Sequence, residues 1–300
     1  MNQVAQEVIN GLSLGSSYAL LALGLAVLFS VVGLINFAQG ELVVTGGYAM
    51  WAVGLLHLPW PVEAVAAVLC PAAMAIAMYY VVFRPVRAGG APALLVTSLA
   101  LALLLDALFA LVISPLPLAV PVPNWLSAAV RVGDLFVPVL EIVTVVVTLV
   151  AVASLNLFLH RSVTGIAMRA TAEDSRTVRL MGVSSERVIR TAFIISGALA
   201  GIAALLLVSQ AGAISPTSGL NPLVKGFVAV VIGGVGSLEG AVLGGYLLGF
   251  TEVILQTILP PSLLPFRDAF ALLILLSVLS FSPRGIIGFG RGGRTMRARA

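Results

Sequence analysis

Charge is what this chain has least of. Only 9% of its 300 residues are Asp, Glu, Lys or Arg, against about a quarter in a soluble domain, so they could not clothe a water-facing surface. Cysteine occurs once, at Cys70, which excludes a disulfide framework and a cysteine-cluster metal site. The two histidines, His57 and His160, lie at the ends of different apolar runs and leave little for zinc or a histidine-dependent hydrolase. The single lysine, Lys225, stands between Val224 and Gly226, so the Gly-Lys-Ser/Thr ending of a phosphate-binding P-loop is missing. No polar segment could hold a nucleotide-binding domain; the longest runs over about 160–189. No cofactor, metal or nucleic-acid partner is expected.

What is abundant is apolar surface: 60% of residues are hydrophobic and the mean hydropathy is +1.13. The apolar runs are continuous rather than alternating, which argues against a transmembrane barrel. They have the length that crosses a hydrocarbon layer as helix. The pattern predicts an all-α integral membrane protein, a single domain over 1–300. It divides into about nine spans (eight to ten): 8–32, 37–57, 62–83, 92–113, 136–159, 190–210, 223–235, 240–259 and 267–282. Breaks between them carry turn-forming residues, such as Leu58-Pro59-Trp60-Pro61, Gly89-Gly90, Ser215-Pro216 and Pro260-Pro261.

Basic residues orient this arrangement. Arg84 and Arg87 follow the third span, six arginines from Arg161 to Arg190 follow the fifth, and five from Arg284 to Arg299 form the tail. Nine spans put these thirteen of the sixteen basic residues on one side, the cytoplasm by the positive-inside rule. The N-terminus is then expected outside and the C-terminus in the cytoplasm. The first run is too long for a signal peptide and lacks its basic flank. Trp51 and Trp60 fit an interfacial aromatic belt.

Four features carry candidate chemistry. The segment Gly233-Gly234-Val235-Gly236-Ser237-Leu238-Glu239-Gly240 is too rich in glycine for continuous helix, each residue costing about 1 kcal/mol against alanine. It reads either as close helix packing with a tight turn or as broken backbone beside a solute path. Asn36, Gln39 and Glu41 join the first two spans, and by spacing the segment is better read as a cytoplasmic loop capping the second helix. Asp106 and Glu252 lie within spans and have no basic partner in the same span, while Lys225 is expected to snorkel to the interface or to face an entry. The loop from Met168 to Val183 mixes both signs of charge, more than an arginine anchor needs. It reads equally as such an anchor or as a short helix that docks into a partner.

Several of these stretches together resemble the permeases of bacterial ABC importers for branched-chain amino acids, specifically the H-type of the paired permeases. They are Gly11-Leu12-Ser13-Leu14-Gly15-Ser16-Ser17-Tyr18-Ala19-Leu20, Ile35-Asn36-Phe37-Ala38-Gln39-Gly40, Ala172-Glu173-Asp174 with Met181-Gly182-Val183, Gly233-Gly234-Val235-Gly236-Ser237 with Gly240-Ala241, and the closing Ser282-Pro283-Arg284-Gly285. The resemblance implies an ABC importer fold in a bacterial inner membrane. It also implies a second related permease, two cytoplasmic ATPases and a periplasmic or lipid-anchored binding protein. The loop containing Ala170, Glu173, Asp174 and Gly182 is similar to the family's coupling loop, although its glycine follows Glu173 by nine residues rather than the common spacing. Candidates for the translocation path are Asn36, Gln39, Glu41, Asp106, Lys225, Gly233, Gly234, Gly236 and Ser237. Urea or a short amide, as other solutes of the same family, and a stand-alone ion-coupled carrier using Asp106 or Glu252 are the alternative readings.

Overall fold

The computed structural model describes residues 2–132, 135–174, 178 and 180–281. Arg176, Arg179 and the tail with Ser282-Pro283-Arg284-Gly285, Arg291, Arg294, Arg297 and Arg299 lie outside the described residues. Counting helices of eight residues or more, the order is α1 (Asn2–Val32), α2 (Gln39–Leu55), α3 (Trp60–Met78), α4 (Gly90–Val112), α5 (Val139–Arg161), α6 (Val163–Glu173), α7 (Ser185–Ala211), α8 (Leu220–Gly233), α9 (Leu238–Ile258) and α10 (Arg267–Phe281). Two small antiparallel ribbons were not anticipated. β1 (Leu118–Ala119) pairs with β4 (Ala213–Ile214), and β2 (Ala129–Val132) pairs with β3 (Leu135–Pro138).

Each of the nine apolar segments falls on a helix, but their lengths are unequal. Among the described residues, five helical stretches are long and apolar enough to cross a membrane: Val4–Val32, Trp60–Val112, Val139–Arg161, Ser185–Ala211 and Leu238–Ile258. The 53-residue stretch contains two of the segments. α3 runs antiparallel to α2, because Glu63 lies beside Gly54 and Ala67 beside Gly46. α4 runs parallel to α2, because the Phe37 N–H donates to Ser98 Oγ and the Tyr48 and Phe109 rings are 5.4 Å apart. The chain therefore reverses between α3 and α4, in the short turns around Arg84–Gly89. α2 and α8, at 17 and 14 residues, are each too short for a full crossing at 1.5 Å per residue.

Helix ends follow local chemistry. α1 stops where Gly33 takes φ +70° and its N–H returns to the Phe29 carbonyl at 2.9 Å, a left-handed C-terminal cap. α3 and α5 start behind Pro59 and Pro138. The side chains of Ser162, Ser184 and Ser237 accept backbone N–H groups at the starts of α6, α7 and α9.

α1 and α7 form the centre, and leucines of α4 and α5 cover the outside. Leu103, Leu104, Leu111, Leu149 and Leu157 are all more than half exposed, the inverse of a soluble protein and the arrangement that lipid favours. Small residues bring the central helices together. Gly197 and Gly201 of α7 lie on the α3 backbone at Pro71, Ala72 and Ala67, and Gly15 of α1 lies against Gly249 of α9.

Candidate functional site

The segment between α1 and α2 is not an aqueous loop, which corrects the expectation from spacing. Asn36, Ala38 and Gln39 are at most 1% exposed. The Asn36 side chain closes its own turn, with Oδ1 accepting the Ala38 N–H at 3.1 Å. Gln39 Nε2 donates to the Ser196 carbonyl at 3.2 Å, and the Ser196 hydroxyl lies 2.9 Å from Gln39 Oε1 and 2.8 Å from the Gly24 carbonyl. Ser98 sits about 12 Å from the start of α4, and Ser196 about 17 Å from the start of α7. The break is therefore deep inside the bundle. Irregular backbone is tolerated there only because α4 and α7 supply the hydrogen bonds that lipid cannot.

A second break meets the first. Between β4 and α8 the chain makes a 3₁₀ turn, Pro216–Gly219, held by a Ser215–Ser218 capping box. Gly219 and Gly40 touch backbone to backbone: a Cβ on Gly40 would stand 2.6 Å from the Gly219 carbonyl oxygen. Two partial helices, α2 and α8, thus begin at one point inside the protein. This is where side-chain-free backbone is required.

Above this junction lies Glu41, 7% exposed, with Tyr48 about two turns further along the same face of α2 and 5% exposed. Asp106 comes in from the parallel helix α4, within electrostatic reach of both. Glu41 Oε2, Tyr48 Oη and Asp106 Oδ1 are all buried and without a hydrogen-bond partner. Asn36 Nδ2 is likewise unpartnered. Of the sequence candidates, Glu41 and Asp106 come within electrostatic reach of each other and Tyr48 joins them unforeseen, whereas Asn36 and Gln39 lie at the break itself.

Lys225 belongs to another place. Leu223 of α8 faces Gly40; two residues on, about 200° round the helix, Lys225 points the other way. It does not snorkel. Nζ is 2.9 Å from Glu252 Oε2 of α9 and donates to the Tyr18 hydroxyl of α1 at 2.8 Å, while Tyr18 donates to the same Glu252 oxygen at 2.8 Å. Asp268 Oδ2 lies 3.4 Å from Lys225 and Arg267 Nη2 lies 3.6 Å from Glu252, so both ions of the buried pair have an outer partner. Glu252 has no basic partner on its own helix, as the sequence indicated; its partner Lys225 comes from the neighbouring helix α8.

The glycine-rich segment Gly233 to Gly240 is a tight turn joining α8 and α9. Gly234 and Gly236 take φ +107° and +91°, Gly233 and Gly240 touch through their backbones, and Ser237 caps α9 by accepting the Gly240 N–H at 3.1 Å. Val235 and Gly236 are exposed, and Phe29 near the C-terminal end of α1 lies 4.0 Å from a Cβ built on Gly236. The turn closes an end of the bundle and is not at the depth of the Gly40–Gly219 junction.

The charged loop begins as a helix. α6 is amphipathic, with Gly165, Met168 and Thr171 buried against the bundle. Arg169, Ala172, Glu173 and Asp174 are exposed and Ala170 is half-buried. Gly182 takes φ +82°, and the preceding Leu180 and Met181 are 83% and 78% exposed. Beside it, Arg84 pairs with Glu186 at 3.1 Å and Arg190 donates to the Tyr80 hydroxyl at 3.4 Å, so the turn after α3 and the start of α7 share one end of the bundle.

A family model described as "Branched-chain amino acid transport system / permease component" matches residues 7–279. The high-affinity branched-chain amino acid transport system permease protein BraD of Pseudomonas aeruginosa is 33% identical, over 94% of this chain and 95% of its own length. The corresponding LivH protein of Escherichia coli K12 is 31% identical, again over 94% and 95%. The autoinducer 2 import system permease protein LsrC of Escherichia coli HS is 31% identical over 46% of this chain and 41% of its own. No solved structure matches. The family model and these relatives together show that the chain belongs to the branched-chain amino acid transport system permease family.

Proposed function

We propose that this chain is a transmembrane permease subunit of an ABC importer, forming half of a translocation path for branched-chain or related amino acids. The observation that carries this reading, beyond family membership, is the pair of helix breaks meeting at Gly40 and Gly219. Partial helices that start inside a bundle are how transporters place polar groups at membrane depth. The path would pass Asn36, Gln39, Glu41 and Asp106, whereas the Lys225–Glu252 network and the Gly233–Ser237 turn hold and hinge the helices around it.

In this reading the chain crosses a bacterial inner membrane about nine times, counting the partial helices. Its N-terminus is outside and its C-terminus is in the cytoplasm. The Arg84–Glu186 end carries the positive-inside clusters, and the exposed face of the loop containing Ala170, Glu173, Asp174, Leu180, Met181 and Gly182 docks on an ATPase subunit. A second permease, two ATPases and a solute-binding protein complete the machine. Glu252 is a poor ion-coupling site for a stand-alone carrier, because its carboxylate is already held by Lys225.

Reconstitution tests the proposal. The complete set of subunits in liposomes takes up leucine only with ATP and binding protein, and this chain alone takes up none. Uptake by the chain alone on an ion gradient would overturn it.

A further inference from the structure

Glu41, Asp106 and Tyr48 are expensive to bury as they stand. A buried carboxylate normally holds a cation or several hydrogen-bond donors, since an unpaired one forfeits its hydration without recompense. Glu252 illustrates the norm in the same molecule, with Lys225, Arg267 and Tyr18 around one oxygen. Among the described residues Glu41 and Asp106 have no such partner, and each presents a buried oxygen without a bond. Register places them together independently. α2 and α4 run parallel, Phe37 is bonded to Ser98 and the tilted rings of Tyr48 and Phe109 touch, so Glu41 and Asp106 both lie in the interval between those two ties. Tyr48 closes the group: the residue is 5% exposed, its buried hydroxyl is unbonded, and both carboxyl groups act on it electrostatically.

Two carboxyl groups and one phenol, none with a basic partner among the described residues, form a cluster rich in acceptor oxygens. The ligand that fits is a small cation carrying several N–H donors. A primary ammonium supplies three, and the carboxylates and the phenol oxygen can each take one. We propose that Glu41, Asp106 and Tyr48 form an intramembrane site for the ammonium group of the transported amino acid, a reading that rests on the permease function proposed above. The side chain of a branched-chain amino acid would then lie along the apolar walls of α2 and α4. A neutral amide such as urea would leave both carboxylates without a counter-charge, so the site selects against that class of solute.

The experiment has two arms on the assembled transporter in proteoliposomes. In the first, Glu41→Gln, Asp106→Asn and Tyr48→Phe are compared with the parent for ATP-driven leucine uptake, binding-protein-stimulated ATP hydrolysis and thermal stability. Loss of a charge-assisted bond gives roughly tenfold lower uptake in each carboxylate variant, with ATP hydrolysis and stability retained. Unchanged uptake in both carboxylate variants would overturn the proposal. So would a parallel fall of uptake, hydrolysis and stability, which marks a structural role.

In the second arm, labelling of Glu41 and Asp106 by dicyclohexylcarbodiimide is followed by mass spectrometry. Leucine and 3-methylbutylamine protect several-fold, and 4-methylpentanoate, which lacks the ammonium, does not. Protection by sodium but not by the amine assigns the site to an inorganic cation and overturns the proposal, as does equal protection by the carboxylate. Absence of labelling under every condition means that no ligand reaches the group, and also overturns it. Failure of the parent complex to carry leucine at all is a separate outcome, and removes the permease reading on which the proposal rests.

Discussion

Glu252→Gln is a small change in shape with a large expected cost. Glu252 is 1% exposed and its Oε2 receives Lys225 at 2.9 Å and Tyr18 at 2.8 Å. The amide can still accept from Tyr18, so what disappears is the charge opposite the ammonium of a lysine that is itself only 8% exposed. Stranding one member of a buried pair costs about 3–5 kcal/mol. Asp268, 3.4 Å from Lys225, offers partial relief, which puts the expectation at about 3 kcal/mol, the lower end of that range.

Lys225→Met strands the opposite charge. It should cost somewhat less, because Arg267 lies 3.6 Å from the same carboxylate and is held in place by Gln256 at 2.9 Å. The double variant Lys225→Met, Glu252→Gln removes both charges and should return to within about 1 kcal/mol of the parent, since apolar or neutral replacement of a whole buried pair is close to neutral. Reversible unfolding by SDS titration in mixed micelles measures all three in one double-mutant cycle. Single variants within about 0.5 kcal/mol of the parent, or a double variant as unstable as both singles added together, would refute the reasoning.

Other substitutions probe the remaining contacts. Alanine at Gly233 or Gly240 places a methyl group in a neighbouring backbone and should destabilise by about 3 kcal/mol or more, read by the same titration. In a Cys70→Ala background and with the transporter idle, a water-soluble maleimide should modify Leu180→Cys fully and Gln39→Cys from neither side of the membrane; equally fast reaction at both positions without ATP would restore the aqueous-loop reading. Leu180→Asp with Met181→Asp should cut co-purification of the ATPase subunits at least roughly tenfold, the effect of losing two buried apolar side chains from an interface. Ser162→Ala removes the cap of α6, whose side chain accepts the Gly165 N–H at 2.8 Å, and should cost about 1 kcal/mol in the same unfolding measurement.

Hydropathy made the helical segments legible, because a run of twenty apolar residues can hide its backbone in only one way. It could not reveal depth. Ile35-Asn36-Phe37-Ala38-Gln39 has the composition of a short polar connection, and nothing local distinguishes a connection in water from one bonded to Ser98 and Ser196. Those partners are 61 and 157 residues away in the chain. Lys225 and Glu252 were each visible as charges in apolar helix, yet a search within single helices could not join them. The informative rule is that a lone intramembrane lysine needs an acid on a helix packed against it, and the α8–α9 hairpin provides one 27 residues on. Tyr48 carried no signal of its own. Only the parallel register of α2 and α4 sets it opposite Asp106.

The distance in sequence between Gln39 and Ser196 also has a consequence for how the protein is made. At synthesis rates of about 5–20 residues per second, the serine follows the glutamine by roughly 8–30 s. During that interval the amide of Gln39 has neither water nor its final acceptor if α2 is already at depth. The short helix α2 must therefore wait near the membrane surface, or in the insertion machinery, and descend only when α7 arrives. Membrane integration of this chain is then not a simple relay of hairpins from first to last, and a truncation before Ser196 should leave α2 accessible to a protease or to a glycosylation reporter that the complete chain excludes.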